Sequence, residues 1–143
     1  MFKRYAVLGI LIVMLSACVS APNVTGQAAK RQKIVLQASD IEPAKWNLVL
    51  NNAKNVQEEL GAANVDIEII AFGPGINMLK FESVVNTRVA DAIKAGIKII
   101  ACENSLRNFK LTRADMEPSI SYVPAGVVHI MRRQGEGWAY LRP

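Results

Sequence analysis

Ile97-Lys98-Ile99-Ile100-Ala101-Cys102-Glu103-Asn104-Ser105-Leu106 is the stretch on which the fold turns. Its first half is short, apolar and rich in β-branched residues, which predicts a strand buried on both faces. Residues 104–109 can form a short helix, so the chain passes from strand to helix with Cys102 at the junction. In open α/β sheets the carboxyl ends of strands are where ligand sites lie. A cysteine placed there meets the positive end of a helix dipole and unpaired backbone N–H groups, which favour thiolate over thiol. Arg107 adds to that effect. Glu103 opposes it unless its side chain points away, because a neighbouring carboxylate disfavours a second negative charge. The plainer possibility is a buried cysteine acting as a small apolar residue.

Working outward, Val65, Ile67, Ile69 and Ala71 alternate with Asp66 and Glu68, and Ile70 and Phe72 complete an upstream strand. Ile34, Val35 and Leu36, between Lys33 and Gln37, predict the first strand. Between these two, Trp46, Val49, Leu50, Ala53, Val56 and Leu60 recur at steps of three and four. They form one face of a helix that Ser39 or Asp40 can cap, that Pro43 suits in its first turn, and that Gly61 ends. Val85, Val89, Ala92 and Ile93 repeat the helical spacing ahead of Gly96. Downstream, Thr112 and Asp115 predict a capped turn, and residues 120–123 a fourth strand. Pro124 then opens a helix whose Val127, Ile130 and Met131 face the core, with Arg132 and Arg133 in its last turn. Residues 138–141 close the chain as a strand. This alternation predicts a single three-layer α/β domain, with a mainly parallel sheet of about five strands flanked by helices.

Composition sets the outer limits. A chain of 143 residues, 51% of them hydrophobic, can bury one core but is too short for two ordinary domains. Its formal charge of +5 becomes +3 once Lys3 and Arg4 leave with a cleaved leader. The remaining lysines are scattered among acids, without the basic face that a nucleic-acid partner requires. Lys3 and Arg4, the apolar run from Tyr5 to Leu15, and the small Ser16 and Ala17 before Cys18 form a signal-peptide layout. The apolar run is about half the roughly 20 residues that a membrane-spanning helix needs.

Leu15-Ser16-Ala17-Cys18 looks like a bacterial lipobox, which implies removal of residues 1–17 and acylation of Cys18 as the membrane anchor. Val19 in place of aspartate resembles lipoproteins sorted to the outer membrane, so the expected location is the bacterial cell envelope, facing the periplasm. Ordinary cleavage after Ala21 is the competing expectation, because Val19-Ser20-Ala21 before Pro22 is also a small-residue site. Residues 18–32, with Pro22, Asn23, Thr25, Gly26 and Gln27, lack apolar periodicity and predict a flexible tether ahead of a domain spanning 33–143.

Five segments, in order, carry a family resemblance: Lys45-Trp46-Asn47-Leu48, Ala71-Phe72-Gly73-Pro74-Gly75, Cys102-Glu103-Asn104-Ser105-Leu106, Val123-Pro124-Ala125-Gly126-Val127-Val128, and Trp138-Ala139-Tyr140-Leu141-Arg142-Pro143. From residue 33 onward the chain resembles the DsrE/DsrF sulfur-relay family. The resemblance implies a DsrE-like fold and homo-oligomers. It also implies that Cys102 carries sulfur as a persulfide, in exchange with donor and acceptor thiol proteins. Familiar members of that family are cytoplasmic, whereas this chain carries an export signal.

Around Cys102, Asn104, Arg107 and the backbone of Gly73 and Gly75 are the candidate anion-binding groups, since a glycine-rich corner can turn N–H groups toward an anion. A plain tight turn is the competing reading of that corner, which matches neither the P-loop nor the dinucleotide fingerprint. His129, the only histidine, reads as a surface or satisfied residue lying beside the apolar face of the last helix, rather than as a general base. One histidine and one free cysteine cannot close a zinc site within one chain, so neither metal nor cofactor is expected. Trp46 and Trp138 read as packing. Two functions follow: an envelope protein that handles sulfur through Cys102, or a non-catalytic oligomeric binding or assembly module in which Cys102 is inert.

Overall fold

A computed structural model describes residues 31–143. The signal segment, Cys18 and nearly all of the expected tether lie outside the described residues. Strand β1 (Gln32–Ala38) begins a residue earlier than expected. Just before it, the Arg31 guanidinium pairs with Asp66 at 2.8 Å and donates to the carbonyls of Ala62 and Val65. The elements then run α1 (Pro43–Leu60), β2 (Val65–Ala71), a 3-10 segment (Gly73–Leu79), α2 (Asn86–Lys94), β3 (Lys98–Cys102), α3 (Glu103–Asn108), β4 (Ser121–Val123), α4 (Gly126–Gly135) and β5 (Ala139–Leu141).

The sheet order is β4-β3-β2-β1-β5, and every neighbouring pair is parallel. From β1 to β4 the chain steps one place at a time in one direction. Right-handed crossovers then put α1, α2 and α3 on the same face. The last step runs the other way, from one edge of the sheet to the other, and delivers α4 to the opposite face. The core divides accordingly. The larger part joins Leu36, Ile67, Ile69, Ile99 and Ala101 to Trp46, Leu50, Val89 and Leu106. The smaller joins Val35, Ile70 and Ile100 to Ile130 and Trp138.

Two details depart from what periodicity predicts. Helix α1 is not capped by Ser39 or Asp40. Glu42, in extended conformation, is the residue before it and makes no side-chain cap. Pro43 fixes the start by itself, because its missing N–H would be unpaired there anyway. The Asp40 carbonyl instead accepts the Trp46 indole N–H at 2.8 Å.

Helix α4 starts at Gly126 rather than Pro124, and its face is rotated from the expected one. Val127 and Met131, expected in the core, are 58% and 67% exposed. The stripe toward the sheet is Gly126, His129, Ile130 and Arg133, an i, i+3, i+4, i+7 set in which polar residues meet a buried acid. Glu68 on β2 accepts from His129 Nε2 at 2.7 Å and from Arg133 Nε and Nη2 at 2.8 and 2.7 Å. An apolar count is blind to that stripe. His129 therefore lies on the sheet-facing side, not beside it, as a satisfied residue.

At the carboxyl edge Ala38, Ala71 and Ala101 lie in register across β1, β2 and β3. These small residues leave room for the 3-10 segment, which buries Ile76, Met78 and Leu79 over them. Gly75 passes so close to β1 that a Cβ there would lie 2.2 Å from the Ala38 carbonyl oxygen. Backbone would have to move to admit a methyl group. Gly75→Ala should therefore destabilise the protein by about 3 kcal/mol in chemical denaturation. Gly135→Ala, where an added Cβ meets nothing within 4 Å, should leave the midpoint nearly unchanged.

Candidate functional site

Cys102 ends β3 and stands as the residue before the first turn of α3. It is paired with Val123 across β3 and β4. The connection leaving β3 goes to one face of the sheet and the connection leaving β4 goes to the other, so the thiol occupies the crevice where neighbouring crossovers diverge. Along β3, Lys98, Ile100 and Cys102 alternate onto the face that α4 covers.

Cys102 is only 4% exposed, so the sulfur does not lie open to solvent at the sheet edge. The first turn of α4 lies on it. The Gly126 N–H donates to Sγ at 3.2 Å. A Cβ on Gly126 would meet Cys102 Cβ at 3.3 Å, as well as Ile70 and Phe72 at 3.2 Å, so a larger residue would push the helix off the sulfur.

Burial pushes the Cys102 thiol up, yet the polar groups around it, the Ser105 hydroxyl and the backbone N–H groups of Gly126, Ser105 and Asn104, hold it below its ordinary value; of these, the Gly126 N–H makes the hydrogen bond to Sγ. The Ser105 hydroxyl is oriented for this. Its Oγ accepts the Gly73 N–H at 2.8 Å, which leaves the hydroxyl proton to turn toward sulfur. Ser105 sits three residues after Cys102, where a helix side chain reaches back to the residue before the first turn. It was missed as a site residue in the sequence, although the Cys-x-x-Ser spacing at a helix start is the signal that marks it.

The other expected site residues fall into place around this set. The Asn104 N–H is directed to the Pro124 carbonyl at 3.2 Å, and its side-chain oxygen accepts from Arg107. Arg107 does not reach the thiol. It is exposed on α3, donates to the Asn104 side-chain oxygen, and is absent from the groups that act on the sulfur. Gly73 influences Cys102 only through Ser105. Gly75 offers no free donor, because its N–H is directed to the carbonyls of Ser39 and Phe72 at 3.2 Å. The corner is thus a close crossing of β1 rather than an anion nest. Glu103 turns away to pair with Arg113, so it does not oppose the thiolate as its sequence position suggested. Trp46 and Trp138 are both buried, and Trp138 lies under the cations of Lys33 and Arg133 at 5.7 and 4.6 Å.

A parallel five-stranded sheet with one helix crossing back over the opposite face, and a hydrogen-bonded thiol at the crevice, defines an α/β protein of DsrE-like fold. The chain is 32% identical to the protein of unknown function MTH1491 from Methanobacterium thermoautotrophicum, over 78% of this chain and 99% of that one, with a TM-score of 0.75. It belongs to the family of MTH1491. The conserved protein of unknown function BT1422 from Bacteroides thetaiotaomicron shares the fold at 17% identity, with a TM-score of 0.65 over 78% of this chain and 95% of that one. The ychN protein from E. coli shares it at 9% identity, with a TM-score of 0.63 over 80% and 99%. No family model matches the sequence, and no curated protein does.

Removing one donor should be visible in the thiol's reactivity. Ser105→Ala takes away a group that lowers the Cys102 pKa, so the midpoint of iodoacetamide labelling against pH should move up and the rate at neutral pH should fall. A loss of about threefold is expected for half a pH unit. Labelling unchanged across the whole pH range would show that the hydroxyl does not act on the sulfur.

Proposed function

We propose that this protein handles sulfur in the bacterial cell envelope, with Cys102 accepting a sulfane sulfur and passing it on as a persulfide. The supporting observation is the Gly126 N–H hydrogen bond to Cys102 Sγ at 3.2 Å, made beside the Ser105 hydroxyl in polar surroundings that hold the thiol below its ordinary pKa. Such surroundings favour a thiolate and give a terminal persulfide anion hydrogen-bond donors.

In the accepting step the Cys102 thiolate attacks the outer sulfur of a persulfide or polysulfide donor. One sulfur–sulfur bond forms as the donor's breaks, and the donor leaves as its thiolate. In the passing step an acceptor thiolate attacks the outer sulfur of the Cys102 persulfide, and Cys102 departs as thiolate. No external oxidant or reductant is consumed. Because α4 covers the sulfur, a slender polysulfide is a better-fitting donor than a bulky one. In this reading the domain is exported, anchored through lipid at Cys18, and assembled into homo-oligomers. Its location is supported by the signal layout and the Leu15-Ser16-Ala17-Cys18 segment alone.

A second reading has its own observations. Val127, Val128 and Met131 form an exposed apolar strip on α4, and Tyr140 and Leu141 are exposed on β5. Together with a buried thiol, these features suit an assembly module in which Cys102 is inert.

Incubation of the purified protein with inorganic polysulfide, followed by intact mass spectrometry, separates the two. The carrier should gain about 32 Da, one sulfur atom, in a form removed by an added thiol and lost in Cys102→Ala. An inert thiol should give no adduct and should be alkylated only after denaturation.

A further inference from the structure

Glu68 is 3% exposed on β2, and the sulfur chemistry makes no use of it. From α4 it is faced by His129 Nε2 at 2.7 Å and by Arg133 Nε and Nη2 at 2.8 and 2.7 Å. From β3 it is faced by Lys98 Nζ at 3.4 Å. Arg133 is itself steadied by Glu136, at 2.7 Å, and by the Trp138 ring beneath it. These contacts hold the Glu68 carboxyl below its ordinary value against its burial. The groups that act on Cys102 are a separate set and carry no charge.

Helix α4 joins the two sets. Its first residue, Gly126, lies on the sulfur, while His129 and Arg133 lie on Glu68. Lys98, beside Glu68, is four residues from Cys102 along β3, or about 13 Å. The only large apolar side chain that α4 buries is Ile130. Apolar contact is non-directional, so one isoleucine holds a helix down without fixing its tilt or its position along the axis. Charge-assisted hydrogen bonds with two-pronged geometry do fix both. The Gly126 N–H needs that precision, since a displacement of about 1 Å takes a 3.2 Å contact to sulfur out of hydrogen-bond range.

We infer that Glu68, acting through His129 and Arg133, is a positioning residue that keeps the Gly126 N–H on Cys102 and the first turn of α4 closed over the thiol. The inference rests on Cys102 being the working thiol, and it assigns control of that thiol to a carboxylate that never touches it.

The test is iodoacetamide labelling of the full chain across pH, followed on the Cys102 peptide by mass spectrometry, for the parent, Glu68→Gln and His129→Gln. Glu58→Gln, on the exposed side of α1, is the control. With the clamp loosened, the midpoint should rise by about half a pH unit or more and the limiting rate at high pH should increase about tenfold. A role in stability alone would lower the melting temperature and leave both native-state quantities where they were. Should Glu68→Gln fail to fold, His129→Gln decides, because it loosens α4 while leaving the buried carboxylate paired with Arg133. Folded variants with the parent's midpoint and limiting rate overturn the inference. Shifted labelling in the variants, together with a parent protein that takes up no sulfur, upholds the clamp and removes the carrier role instead.

Discussion

Everything about the site depends on the last crossover, which carries the chain from β4 at one border of the sheet to β5 at the other. The reversal of direction forces α4 onto the face that α1, α2 and α3 leave bare. It also parts the chain above β3 and β4, so a residue at the end of β3 lies beneath the first turn of α4 and beside the first turn of α3. Cys102 is that residue. Its polar surroundings come from both helices, the Gly126 N–H that bonds the sulfur from one and the first turn with Ser105 from the other. A topology that placed α4 with its fellows would leave the sulfur with the first turn of α3 alone.

The two faces of the sheet are held by different physics. On one, a continuous apolar layer from Trp46 to Ile120 excludes water by area. On the other, five buried apolar residues are supplemented by a charge cluster centred on Glu68. Buried ion pairs of this kind add little net stability over a well-packed apolar substitute, but losing one partner is costly because the other charge stays buried. Their value lies in directionality, which suits a helix whose first N–H must meet a single atom.

The strands, α1 and the alternation that defines the architecture are legible in the sequence because the larger core obeys simple periodicity. Trp46, Val49, Leu50 and Ala53 are buried as their spacing predicts. The prominence of Cys102 is legible from its place between strand and helix. What is not legible is governed by hydrogen bonds and by tertiary contact. The face of α4 is set by His129 and Arg133, which no hydrophobic pattern reveals, so Val127 and Met131 read as core and are exposed. Arg107 and Glu103 are near Cys102 in sequence, yet Arg107 turns to Asn104 and Glu103 to Arg113. Neighbours along a helix start do not share a direction. Ser105, one turn later, is the side chain that points back.

The outermost strands, β4 and β5, are three residues long, against seven for β1 and β2. An unpaired border of that length presents too few free amides and carbonyls to template the addition of a foreign strand. The long, strongly apolar strands that would nucleate cross-β stacking are confined to the interior, each already paired on both sides. The arrangement therefore disfavours runaway polymerisation through sheet extension, and leaves side-chain surfaces as the route by which copies of the chain can associate.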